Sequence, residues 1–148
     1  MSSCTFFGHR IINKDIKDLL TRQIDNLIAE HGVNVFYVGN NGQFDHLVAT
    51  VLREVKLHNP QILYWIVLAY LPEKKQEYNP LSDIETIYPE GLEYTPRRFA
   101  ISKRNQWMVQ QSDYVIAYVE HSIGGAAQFT EYARKKHKTV INLADLTE

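Results

Sequence analysis

The sequence predicts an α/β fold in which a mainly parallel sheet of about five strands carries helices on both faces. Three observations predict it: short apolar segments alternate with segments of helical periodicity, glycine-bearing turns follow three of the apolar segments, and the chain has 148 residues. Such alternation is typical of parallel strands joined by right-handed crossovers. The length suits one domain, so residues 1–148 are expected to form a single three-layer domain.

The first part of the chain predicts a strand, a helix and a second strand. Residues 5–7 are a short apolar run that ends at Gly8. A helix with Gly32 as its C-cap follows from apolar residues at helical spacing, namely Ile16, Leu19, Leu20, Ile24, Leu27 and Ile28. Residues 33–38 are mostly β-branched or aromatic, and the polar, glycine-rich turn at 39–42 ends this second strand.

The second helix has the most regular amphipathic spacing in the sequence. Its apolar residues are Phe44, Leu47, Val48, Val51, Leu52 and Val55. Asn59 and Pro60 end this segment, and the apolar residues 62–69 predict a fully buried strand. Residues 70–96 carry four of the five prolines, which predicts a long loop that acts as a lid or hides a short helix.

The last third of the chain returns to alternating elements. Residues 97–112 predict a helix and residues 114–119 a strand. Residues 126–137 predict another helix, and residues 139–143 a last short strand. The predicted order is therefore βαβαβ, a loop, and αβαβ.

Composition and charge exclude several classes of protein. The chain has 16 Lys and Arg against 17 Asp and Glu, a formal net charge of −1, without the basic excess of a general nucleic-acid binder. The longest apolar run, residues 62–71, is too short to span a bilayer, so we expect a cytoplasmic chain without a membrane partner. Cys4 is the only cysteine and is expected to be a buried thiol. The six histidines show no ligand spacing, so neither a metal nor a cofactor is expected.

Three glycine-bearing turns are the candidate binding elements. Their residues are Gly8, His9 and Arg10; Gly39, Asn40, Asn41 and Gly42; and Gly124, Gly125 and Ala126. Parallel strands bring their carboxyl ends to one edge, so these turns should lie close together. Glycine lets backbone N–H groups approach an anion, and the following helix adds its dipole, which favours phosphate or phosphoribose. Strand-to-helix geometry alone also explains each glycine. Asp45 would accept a ligand hydroxyl or compensate the helix dipole.

Charged residues in the second half provide further candidates. Four cations lie within eight positions, and they are Arg97, Arg98, Lys103 and Arg104. A solvated helix face explains them as well as an anion site does. Glu131 lies two helical turns after Gly124. It would point toward the ligand edge or pair with Arg134 or Lys135 on the surface.

A spaced set of residues in this half resembles a known family. The set consists of Arg104, Met108, Ser112, Asp113, Gly124, Gly125 and Glu131. It is similar to the pattern of the SLOG superfamily, whose LOG-type branch contains cytokinin riboside monophosphate phosphoribohydrolases. Nearly the whole chain also resembles the smaller YpsA-like branch, through segments such as YVGNNGQFD, VLAYLPEK and GGAAQF. The resemblance implies a Rossmann-like domain that binds a nucleotide or a nucleotide-derived small molecule.

The resemblance also implies roles for individual residues. In a binding protein the glycine turns would hold phosphate or ribose, and Arg104 would supply a bidentate guanidinium. In the alternative, an N-glycosidase acting on a nucleoside 5′-monophosphate, Glu131 and Arg104 would be catalytic. His9 would protonate the leaving base or only hydrogen-bond its own turn. The chain departs from the enzymes at Ala127 and Gln128, where they carry glycine and threonine.

Two further interpretations stay open. A regulatory module with a protein partner is the third function that fits the sequence. The resemblance implies a homodimer, in which Phe99, Trp107 or Met108 would serve the interface or simply the core. Tyrosines in and beside the long loop would stack on a base or anchor the loop, and they are Tyr70, Tyr78, Tyr88 and Tyr94.

Overall fold

The computed structural model describes residues 2–71 and 86–147, and in them it shows the predicted α/β architecture. The strands are β1 (Ser2–Gly8), β2 (Val33–Val38), β3 (Leu63–Val67), β4 (Thr86–Ile87), β5 (Tyr114–Tyr118) and β6 (Thr139–Asn142). The helices are α1 (Lys17–His31), α2 (Gln43–His58), α3 (Ala100–Gln111) and α4 (Gly125–Lys135). Short 3₁₀ helices span Leu92–Tyr94, Arg97–Phe99 and Leu143–Asp145.

The six strands form one sheet, parallel throughout, in the order β4-β3-β2-β1-β5-β6. The chain proceeds outward from β1 in one direction as far as β4, and β5 then pairs with the other side of β1. The order therefore reverses between β1 and β5. Gly8 lies opposite Tyr118 in this pair, so both strands end together. Ligands of open parallel sheets bind at such a reversal.

Each face of the sheet packs against two helices. On one face, Cys4 and Phe6 of β1 join the core that includes Leu20 of α1 and Val48 of α2. On the other face, Phe7 joins the core of α3 and α4. Because β1 is covered on both sides, its buried residues are nearly continuous and do not alternate with polar ones. Cys4 is fully buried, which confirms the expected buried thiol, and this burial raises the pKa of the thiol.

The sheet has six strands where about five were predicted. The additional strand, β4, has two residues and lies in the stretch 70–96 that was predicted as loop. A strand of two residues is too short to show alternation of apolar and polar side chains. Only its pairing with Ile66 and Val67 of β3 defines it. Most of the predicted lid, residues 72–85 with Tyr78, lies outside the described residues.

The first turn of the predicted helix 97–112 is a 3₁₀ helix, and the α-helix begins at Ala100. Such tightening at a helix terminus is common. In the described part of the chain, no helix combines the length and apolar content needed to cross a lipid bilayer.

Candidate functional site

A cavity of about 680 Å³ opens at the carboxyl ends of β1 and β5. We name it the β1–β5 cavity. Its walls are the turns that follow β1 and β5, the end of the β2–α2 connection with the first turn of α2, and one face of α3. It contains nine of the predicted site residues, namely Gly8, His9, Arg10, Asn41, Asp45, Arg104, Gly124, Gly125 and Ala126. The structure thus brings parts of all three glycine-bearing turns together at one edge of the sheet.

The other predicted residues border different cavities. Gly39, Asn40 and Gly42 line a second cavity of about 710 Å³, beside the ends of β2 and β3. Glu131 lines a third, of about 410 Å³, on the far side of the β5–α4 turn. Its carboxylate is exposed and accepts a hydrogen bond of 3.2 Å from Arg134 Nη1. Of the two orientations open to Glu131, the structure therefore shows the surface pair, away from Arg104.

Arg104 is a buried cation in the wall of the β1–β5 cavity, with 2% of its surface exposed. Its Nε donates to Asn105 Oδ1 at 2.9 Å, and its Nη1 donates to Asn40 Oδ1 at 3.1 Å and to the Val67 carbonyl at 3.3 Å. These bonds join α3 to the ends of β2 and β3. The guanidinium is therefore a fixed positive charge, already held by protein acceptors, and not a free fork for phosphate.

Asp45 is a buried carboxyl that interacts electrostatically with Arg104. Loss of solvation raises the pKa of its carboxyl to about 6, although the Asn41 backbone N–H and the Arg104 charge oppose this rise. That N–H donates to Oδ2 at 2.9 Å. A Cβ atom on Gly39 would lie 2.9 Å from Oδ2 and 3.1 Å from Arg104 Cζ. Glycine at position 39 therefore allows the backbone to approach this charged pair closely.

The N-terminus of α4 faces the β1–β5 cavity. Gly124 has φ of 107°, a left-handed conformation that favours glycine, and Gly125 begins the helix. A Cβ on either glycine would meet no atom within 4 Å. The Gln128 N–H bonds to the Gly124 carbonyl, which leaves the N–H groups of residues 125–127 without an intrahelical acceptor. This end of the helix also carries its positive dipole.

Sequence reasoning missed several residues of the cavity, chiefly Glu120, His121 and Ile123. They belong to the five residues, 119–123, that separate β5 from the double glycine. Their position directly after a central strand was the available signal, because strand ends of a parallel sheet share one edge. Within residues 2–71 and 86–147 no group of three or more His, Cys, Asp or Glu lies close enough together to hold a metal ion.

Of the tyrosines expected to stack on a base, the structure describes Tyr70, Tyr88 and Tyr94, and these three do not line the β1–β5 cavity. The Tyr70 hydroxyl donates to the Arg97 carbonyl at 3.1 Å, and the Arg97 guanidinium lies 4.5 Å from the Tyr70 ring centre. Tyr94 is 86% exposed. Tyr70 therefore anchors the chain near the start of α3, which is the packing alternative for this residue.

Phe99, Trp107 and Met108, which the sequence assigned either to a dimer interface or to the core, have different environments. Met108 is buried among the residues of the α3–α4 face. Trp107 packs its ring edge against Tyr37, with ring centres 5.3 Å apart. Phe99 is about half exposed, below the guanidinium of Arg98. Met108 thus serves the core, and a homodimer stays a prediction.

Comparison with known proteins supports the fold. No family model matches the chain, and no curated protein matches it. Its structure is similar to the X-ray structure of DNA processing protein A (DprA) from Streptococcus pneumoniae, with a TM-score of 0.67 and 17% sequence identity. The match covers 94% of this chain and 49% of the DprA chain, so this chain spans about half the length of that one. The likeness shows a Rossmann-like α/β fold.

Proposed function

We propose that this chain binds a nucleotide or a nucleotide-derived small molecule in the β1–β5 cavity, as a sensor or carrier domain formed by residues 1–148. The observation that carries the proposal is the open N-terminus of α4, where Gly125 and Ala126, whose backbone N–H groups have no intrahelical acceptor, line a cavity at the strand-order reversal. Backbone N–H groups and the helix dipole together favour a phosphate group. The YpsA-like resemblance points to the same ligand class.

The size and the polar groups of the cavity support this proposal. Its volume of about 680 Å³ falls within the range of small-molecule sites, roughly 300–1,000 Å³. Asn41 Oδ1 is buried and has no hydrogen-bond partner among the described residues. Buried acceptors are rarely left unpaired, so a hydroxyl or amino group of a ligand is the natural donor to this oxygen. Arg10 adds an exposed cation to the lining.

Arg104 has a different part in this proposal from the one that the family resemblance implied. Its Nε and Nη1 donors are used by Asn105, Asn40 and Val67, so no complete two-nitrogen fork is left, and it would act on a ligand through its charge, through Nη2 and by holding the cavity wall. We limit the proposal to binding, because Glu131 lies outside the cavity and pairs with Arg134. A carboxylate that acts at an anomeric carbon has to lie beside it.

Saturation-transfer NMR with adenosine 5′-monophosphate (AMP), other nucleoside monophosphates, ADP-ribose and dinucleotides tests the proposal. We expect transfer to at least AMP in the wild type. Gly125→Val should reduce the affinity more than tenfold, because its Cβ enters open space at the helix N-terminus and the branched side chain covers the N–H groups. Gln128→Val is the matched control, since Gln128 is exposed on the same helix and does not line the cavity.

Absence of saturation transfer to every compound, or wild-type affinity in Gly125→Val, would contradict the proposal. New resonances of free base that vanish in Glu131→Gln would instead favour the N-glycosidase. A single-stranded DNA oligonucleotide belongs in the same series, because DprA is named as a DNA-processing protein and the absence of general nucleic-acid binding here is a prediction from net charge.

A further inference from the structure

His9 links the two turns that lie on either side of the strand-order reversal. It follows the last residue of β1, and its Nε2 accepts a hydrogen bond of 2.9 Å from the backbone N–H of Glu120, just beyond β5. Its ring stacks on His121, with ring centres 4.2 Å apart and planes inclined by 15°. The edge of Tyr118 lies against it, at 6.0 Å between ring centres. The imidazole is therefore held by β5 and the turn that follows it.

The hydrogen bond from Glu120 fixes the tautomer of neutral His9. A backbone N–H only donates, so Nε2 must carry the lone pair and the ring proton must be on Nδ1. No described residue accepts a hydrogen bond from Nδ1, and His9 lines the β1–β5 cavity. Neutral His9 thus has one committed nitrogen and one available donor. The second tautomer would break the bond to Glu120.

We propose that His9 is a ligand-positioning residue that presents Nδ1–H to an acceptor oxygen of the bound nucleotide, and that protonation of His9 releases the β1 turn from the β5 turn and weakens binding. The role toward the ligand rests on the proposed function, whereas the tautomer and the link between the turns do not. A general acid would have to be the charged ring, in which Nε2 carries a proton and cannot accept from the Glu120 N–H. The structure therefore favours a fixed donor over the general acid considered from the sequence.

The surroundings of His9 keep it neutral near pH 7. Burial lowers its pKa from the ordinary 6.5, and His121 lowers it further, while the Glu120 carboxylate opposes the shift. Lys14 Nζ lies 3.7 Å from Glu120 Oε2 and offsets part of that carboxylate's charge. Burial raises the pKa of Tyr118 to about 12, so this neighbour stays uncharged. Arg10, the adjoining residue, and the buried Arg104 and Asp45 are the other charged groups of the cavity.

The sign of the pH dependence follows from that lowered pKa. The neutral form of His9 is favoured in the fold, so the link is fully present above pH 6.5 and is lost as the pH falls through the lowered value. In the charged form both ring nitrogens donate, and Nε2–H would face the Glu120 N–H. Binding that depends only on the attraction between phosphate and the imidazolium would change in the opposite direction and strengthen in acid.

The first test uses the protein without ligand. Long-range ¹⁵N–¹H correlation spectra at pH 7.5 should show His9 with a protonated Nδ1 and an unprotonated Nε2. The Glu120 amide resonance should shift along the same titration curve as the His9 ring between pH 8 and pH 5. The proposal would be overturned, whatever the protein binds, if the His9 ring were protonated on Nε2 at pH 7.5. It would also be overturned if the Glu120 amide resonance did not shift as His9 titrates.

The second test measures the affinity for AMP at pH 7.5 and at pH 5. In the wild type we expect weaker binding at pH 5. His9→Gln places an amide oxygen where Nε2 accepts from Glu120 and removes the Nδ1 donor. It should weaken binding by about tenfold at pH 7.5, the loss expected for one hydrogen bond. It should also reduce the pH dependence to the part contributed by the ligand phosphate and by the Asp45 carboxyl, whose pKa is about 6. His58→Gln, at an exposed histidine near the end of α2, should behave as the wild type.

The outcomes separate the two proposals. Unchanged affinity in His9→Gln, or stronger AMP binding at pH 5 in the wild type, would overturn the role of His9 and leave nucleotide binding intact. Absence of AMP binding by the wild type would remove the ligand role together with the proposed function for nucleoside monophosphates. The spectra of the free protein would still decide the tautomer and the link between the turns.

Discussion

Arg104 shows how burial changes what one side chain can do. Its place in a pattern shared with phosphoribohydrolases implied a phosphate contact, and charge alone favoured a solvated face. The structure does not place Arg104 on a solvated face: the guanidinium is buried, with acceptors from the ends of β2 and β3 and from α3. The neighbouring Arg97, Arg98 and Lys103 are exposed, as the solvated-face interpretation expected. Arg97 and Arg98 precede α3, and within the helix the face that carries Arg104 is the one that meets the sheet.

Arg104→Met should lower the free energy of unfolding by about 3 kcal/mol at pH 8, because it leaves Asp45 as an unpaired buried charge. The loss should be smaller at pH 5. Without Arg104 the pKa of Asp45 rises above about 6, so at pH 5 the carboxyl is protonated and there is little buried charge to leave unpaired. Urea unfolding at both pH values measures the difference.

Two further variants control this experiment. Lys103→Met removes an exposed cation from the same helix and should change stability by less than about 0.5 kcal/mol. Arg104→Met combined with Asp45→Asn should recover part of the loss at pH 8, because the neutral amide can still accept from the Asn41 N–H. An equal loss at both pH values would show that Asp45 and Arg104 are not coupled.

At the scale of elements, local signals located the helices and strands well where they were long. The apolar spacing predicted both α1 and α2, and Gly32 is the predicted C-cap of α1, with φ of 66° and its N–H bonded to the Leu27 carbonyl. The two-residue β4 was missed, because its pairing with β3 defines it and no pattern of its own does. The start of the helix predicted at 97–112 shifted to Ala100, because a 3₁₀ turn replaces the α-helix at Arg97–Phe99.

The two helix-terminal glycines provide a matched stability test. Gly32→Ala should lower the free energy of unfolding by about 1 kcal/mol, since a Cβ is unfavourable in the left-handed region. Gly125→Ala should be neutral or slightly stabilising, because Gly125 does not have a positive φ and helical alanine is favoured. A Cβ meets no atom within 4 Å at either site, so packing does not confuse the comparison. Equal effects in thermal unfolding would contradict this explanation.

For the whole molecule, the strand order predicts where the fold is most stable. β1 pairs with strands on both sides and is buried on both faces, whereas β6 and the two-residue β4 are edge strands. Amide hydrogen exchange should therefore be slowest in β1 and β5 and faster in β6 by more than about tenfold. Comparable protection of β6 and β1 would indicate that this edge is covered in solution, which is what a dimer through β6 would produce.

The sequence by itself determined the class of fold, the order of its long elements and the edge of the sheet where the candidate site lies. Periodicity, glycine turns and strand alternation are local, so a single chain displays them. Tertiary structure alone decided which side chains share the β1–β5 cavity. It joined His9 to Glu120 across 111 positions and Arg104 to Asn40 across 64, and it placed Glu131 on the other side of a turn. Such pairs depend on how the crossovers pack helices against the strands and on the free energy of burying a charge. The spacing of residues along the chain reports neither of these.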